Sequence, residues 1–70
     1  MKLYWPMCKH IIGGKEETQW TYDSSLTVED AKKVIRAWRD DWEYQIIQAW
    51  IDVYEGNEKV EVIQVDVATA

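Results

Sequence analysis

The chain has no phenylalanine, one cysteine, one proline and three glycines in 70 residues, and each shortage excludes something. With no Phe, every ring of the five Trp and four Tyr carries a polar N–H or O–H that wants a partner or water, which suits half-buried surfaces better than a dry interior. The single Cys8 forms no internal disulfide, so packing or association alone must hold the fold. No stretch approaches the roughly 20 apolar residues that span a bilayer. The opening Met1-Lys2-Leu3-Tyr4-Trp5-Pro6 also lacks the apolar core of a signal peptide. The expectation is a cytoplasmic protein with no membrane partner. Glycine occurs only at positions 13, 14 and 56, and no Gly-rich phosphate loop, nucleophile elbow or paired-carboxylate motif is present.

What remains is globular in composition, with 47% hydrophobic and 30% charged residues. The length allows a single domain over residues 1–70. A domain this small buries only about 60% of the surface its unfolded chain exposes, so some of the rings are expected to meet a partner.

Net charge is -5. Residues 1–15 hold Lys2, Lys9 and Lys15 and no acid, whereas residues 16–70 hold five basic and thirteen acidic side chains. The acidic bulk disfavours direct nucleic-acid binding, because phosphates are repelled. The asymmetry itself favours contacts between opposite ends of the chain or between copies.

Pattern divides the chain into hairpin, helix, hairpin. Gly13-Gly14 is a two-residue turn signal that pairs Ile12 with Lys15, His10 with Glu17, Cys8 with Gln19 and Met7 with Trp20. Continued outward, it pairs Trp5 with Tyr22, Tyr4 with Asp23 and Leu3 with Ser24. The Leu3, Trp5 and Met7 face is apolar and the Tyr4, Cys8 and His10 face mixed. Pro6 lacks an amide hydrogen and predicts an edge strand or a bulge.

Thr27 followed by Val28-Glu29-Asp30 is a helix start with Thr27 as N-cap. Val28, Ala31, Val34, Ile35, Trp38 and Trp42 then recur at helical spacing, with Lys32, Lys33, Arg36 and Arg39 mainly off the stripe. Fraying is expected near Trp42, with Arg36 offsetting Asp40. Residues 43–54 fit either a longer helix or a strand, and their β-branched and aromatic residues favour strand. Gly56-Asn57 closes a second hairpin, pairing Tyr54 with Lys59, Val53 with Val60, Ile51 with Val62 and Trp50 with Ile63. Asp52 then faces Glu61, a like-charge pair. In this register the hairpin is apolar on both sides, unless a bulge near Val62-Ile63 rotates the strand.

The fold class is α+β, ββαββ, with one helix on one face of the sheet. This element order resembles that of the small immunoglobulin-binding domains of bacterial protein G. The resemblance is of order alone and carries no binding residue or function to this chain.

Function is read as a non-enzymatic protein-interaction module or small adaptor. It forms a homodimer through a sheet face bearing Ile46, Trp50, Ile63, Val65 and Val67, with Tyr44 and Tyr54 at its rim, and a heterologous protein partner is possible. Trp5, Trp20, Trp38 and Trp42 are assigned to the core between sheet and helix. The alternative is an acidic mimic of nucleic acid that inhibits a DNA- or RNA-binding protein, although the helix interleaves its acids with basic residues. A third reading centres on Cys8 and His10, which share a strand face and could bind metal with Glu17 or act as a thiolate–imidazole pair. Two soft ligands are too few for a closed site. The expectation is no cofactor, no metal and no catalytic residue, with a buried thiol beside a solvent-exposed His10.

Overall fold

The computed structural model describes residues 1–20, 23–41 and 45–69, with Trp20 described by its backbone alone. Strands β1 (Lys2–Ile12) and β2 (Lys15–Trp20) precede helix α1 (Val28–Asp40), and strands β3 (Gln45–Glu55) and β4 (Glu58–Val65) follow it. A closing 3-10 turn spans Val67–Thr69. The strands form one sheet in the order β2-β1-β3-β4, antiparallel at every pairing. The α+β, ββαββ architecture is as expected, and residues 45–54 are strand.

Both turns form where glycine can supply a positive φ, as at Gly13 (59°), Gly14 (80°) and Gly56 (64°). The first fixes the expected register from Ile12↔Lys15 to Met7↔Trp20. Beyond it the expected Tyr4–Asp23 pair is replaced by Tyr4–Ser25, bridged through both backbone groups at 2.9 and 2.8 Å.

Pro6 lies in a central strand, not at an edge. Tyr4 directs its N–H and C=O toward Ser25, and two residues on, the Pro6 nitrogen points the same way. The last described β1–β2 pair is Met7↔Trp20, and residues 21–22, the next along β2, lie outside the described residues.

The helix begins as its sequence predicts. Thr27 is extended, and its hydroxyl accepts from the Asp30 amide at 3.1 Å. At the C-terminus Asp40 pairs with Arg39 at 3.0 Å. Arg39 also donates to the Val67 carbonyl at 3.1 Å, tying the last helical turn to the end of the chain. Trp42 lies outside the described residues.

Helix α1 packs across β1 and β3. The core is Cys8, Ala31, Ile35, Ala49, Ile51 and Val53, flanked by Tyr4, Val28, Trp38, Ile46, Ile63, Val65 and Val67. The helix thus covers the face bearing Tyr4, Pro6, Cys8 and His10, the one that reads as mixed. The apolar Leu3, Trp5 and Met7 face points away. Trp38 packs into the core as expected, but Trp5 does not.

Two register shifts sort the second half. One falls between Val53 and Tyr54: Tyr54 pairs with Lys59 but Val53 with Glu61, so Val60 is an extra residue. Every expected pair beyond it moves by one, to Ile51↔Ile63, Trp50↔Gln64 and Ala49↔Val65. Asp52 faces Val62 rather than Glu61, and this places Ile63 and Val65 beneath the helix. The other shift pairs Lys9 with Gln48 but His10 with Ile46, passing over Ile47 and keeping Ile46 on the core side.

Candidate functional site

The helix-free face is built from cross-strand rows of β1 and β3. Leu3 stands opposite Tyr54, Trp5 opposite Asp52, Met7 opposite Trp50 and Lys9 opposite Gln48. Val62 and Gln64 of β4 extend the Asp52 and Trp50 rows. Thr18 and Glu16 of β2 extend the rows of Lys9 and Ile11. Leu3, Trp5, Met7, Trp50 and Tyr54 are each half-buried, and Val62 is 46% exposed.

A groove of about 510 Å³ runs between Leu3, Trp5, Met7 and Tyr54 and is closed at one end by the Gly56-Asn57 turn. The carboxylate among its described lining residues is Asp52, whose side chain is 9% exposed. Lys59 Nζ reaches Asp52 Oδ2 at 3.7 Å from a side chain that is itself 47% exposed. Oδ1 is buried and has no hydrogen-bond partner. A carboxylate oxygen sheltered among apolar groups without a donor is unfavourable, and a cation or N–H donor entering the groove relieves it. A shallower hollow of about 210 Å³ adjoins it, lined by Lys9, Gln48, Trp50, Val62 and Gln64.

Charge on this face is balanced. Glu16 and Asp52 are matched by Lys9 and Lys59, so the acidic excess of the chain lies elsewhere. On the helix, Asp30 pairs with Lys33 at 3.8 Å and Asp40 with Arg39.

The structure divides the interface residues that sequence reasoning grouped together. Trp50 and Tyr54 lie on the open face. Ile46, Ile63, Val65 and Val67 pack against the core, the first three turned there by the two register shifts and Val67 from the closing 3-10 turn. Tyr44 lies outside the described residues. Leu3, Trp5, Met7 and Asp52 were missed as members of this face. The available signal was an acid in the middle of the apolar run Ile46–Tyr54.

Cys8 and His10 are buried, at 0% and 1% exposure. His10 therefore is not the solvent-exposed residue its sequence context suggests. Burial pushes the Cys8 thiol up to about 11, with a Gln19 backbone hydrogen bond working in the opposite direction. Below that range it is a covered, protonated thiol and a poor nucleophile. Among the described residues no group of three or more His, Cys, Asp or Glu side chains is arranged to hold a metal ion, and no helix is long and apolar enough to cross a membrane.

Compared with protein-family models, curated proteins and solved structures, the chain matches none.

Proposed function

We propose that the protein is a non-enzymatic interaction module that self-associates through the helix-free face of its sheet. The observation that carries this reading is the continuous set of half-buried Leu3, Trp5, Met7, Trp50 and Tyr54 on the face of the sheet opposite helix α1. Contiguous apolar and aromatic surface of this kind marks contact sites, and Trp and Tyr supply most of the anchors in known interfaces.

Size and charge support a second copy as the occupant. The molecule measures 37 × 21 × 19 Å; a sheet face within the first two dimensions offers on the order of 700 Å², close to the roughly 800 Å² per partner of a standard interface. The face is electrically balanced while the whole chain carries -5, so two copies meeting here avoid the repulsion that other faces would impose. Face-to-face packing of two sheets is an established way to bury such surfaces.

A cytoplasmic setting accords with the lone unpaired Cys8. The acidic-mimic reading gains less support, since Asp30 and Asp40 sit beside basic partners instead of forming an unbroken acidic row. Trp50→Ala tests the proposal. Sedimentation velocity should show dimer affinity falling by about 30-fold or more, the loss typical of a central anchor, with the helix signal in circular dichroism retained. An unchanged sedimentation coefficient across concentrations for both proteins rejects the reading.

A further inference from the structure

We infer that Lys9 of a second copy completes the Asp52 site, so that the dimer is two-fold symmetric about the Met7–Trp50 row. This rests on the self-association proposed above and specifies its register. The Trp5–Asp52 row and the Lys9–Gln48 row lie on opposite sides of the Met7–Trp50 row, two residues away along β1 in each direction. A two-fold axis lying in the interface along the central row therefore brings Lys9 of each copy over Trp5 of the other, one strand spacing of about 4.8 Å from Asp52 and within reach of the long lysine side chain.

Symmetry makes the contact occur twice, as an isologous interface requires. Trp50 then meets its own counterpart at the centre, where anchors concentrate.

The chemistry of the groove favours this occupant. Asp52 is nine-tenths buried, and Lys59 approaches only Oδ2, leaving Oδ1 without a hydrogen-bond partner. A carboxylate accepts several donors, so a second ammonium is accommodated beside Lys59. Rotation about the Asp52 χ2, a broad two-fold torsion, exchanges the two oxygens. Lys9 is exposed at the edge of the adjoining hollow. In sheets packed about 10 Å apart, its long stem lies along apolar surface while its head reaches the facing side chain. Trp5, in the Asp52 row, adds a ring on which an ammonium is favourably held.

Within one chain Lys9 and Asp52 lie about 13 Å apart along the strands, too far to couple directly. A double-mutant cycle on the dimer is therefore specific for the contact between copies. Lys9→Ala and Asp52→Asn should each weaken dimerisation by about tenfold, and the double variant no more than either alone. Near-UV circular dichroism of the tryptophans confirms that each variant is folded.

Additive losses, or a Lys9→Ala dimer as tight as wild type, overturn the pairing while leaving self-association intact. A wild-type chain that stays monomeric at all concentrations overturns both. If that monomer instead shifts its Asp52 resonances on titration with N-acetyl-lysine methylamide, the occupant is a foreign cationic group and the second-copy assignment is rejected.

Discussion

The two faces of one sheet are built from the same strands by different rules. Beneath the helix sit Cys8, Ala49, Ile51 and Val53, small or β-branched and almost fully enclosed. On the open side stand Trp5, Met7, Trp50 and Tyr54, larger and half-buried. A single short helix can lie close only on a smooth face, so the compact residues serve as its seat. The bulky rings, each with a polar edge that tolerates water, stay half-buried on the open side. Burial in this molecule follows fit to the covering element more closely than hydrophobicity alone.

The largest separation between the faces should appear in stability. Ile51→Ala removes a side chain with 0% exposure at the centre of the core and should cost about 3–4 kcal/mol in urea unfolding. Trp38→Ala, at the helix–sheet contact, should cost about 3 kcal/mol. Trp50→Ala reverses the pattern, with its main loss in dimer affinity. If it destabilises the isolated chain as much as Ile51→Ala does, the distinction between faces collapses.

Smaller effects sharpen the comparison. Thr27→Ala should cost about 1 kcal/mol, because the Asp30 amide loses its cap; equal thermal midpoints for the two proteins would show that the cap contributes nothing. Cys8 reports on the covered face through pH. Its pKa rises from 9.0 to about 11 on folding, so between those values the unfolded chain releases its proton first and stability falls as pH rises. The stability of wild type relative to Cys8→Ala should therefore decline over that interval. A difference independent of pH would place the thiol in contact with water.

Much of the local structure is legible in the sequence. The Thr27 cap, the helical stripe from Val28 to Trp38, both glycine turns and the register from Met7 to Ile12 rest on neighbours close in the chain, and all form. The choice of face does not. Tyr4, Cys8 and His10 read as mixed until β3 lies beside them and supplies Ala49, Ile51 and Val53 to the same side. The extra residue at Val60 carries no glycine or proline to mark it, yet it turns Ile63 and Val65 inward and moves Asp52 away from Glu61. That shift separates the expected interface residues, while pairing with β1 sets Asp52 in the groove opposite Trp5. Pro6 misleads for a related reason: β3 pairs with β1 on both sides of it and makes β1 a central strand, a long-range partnership that no residue near Pro6 announces.

The role of the open face is tested most directly by solution mass, measured by light scattering across a dilution series. Self-association predicts a value that approaches twice the 8.3 kDa of the chain as concentration rises, and returns to that of one chain on dilution or on Trp50→Ala substitution. A mass fixed at a single chain throughout would contradict it.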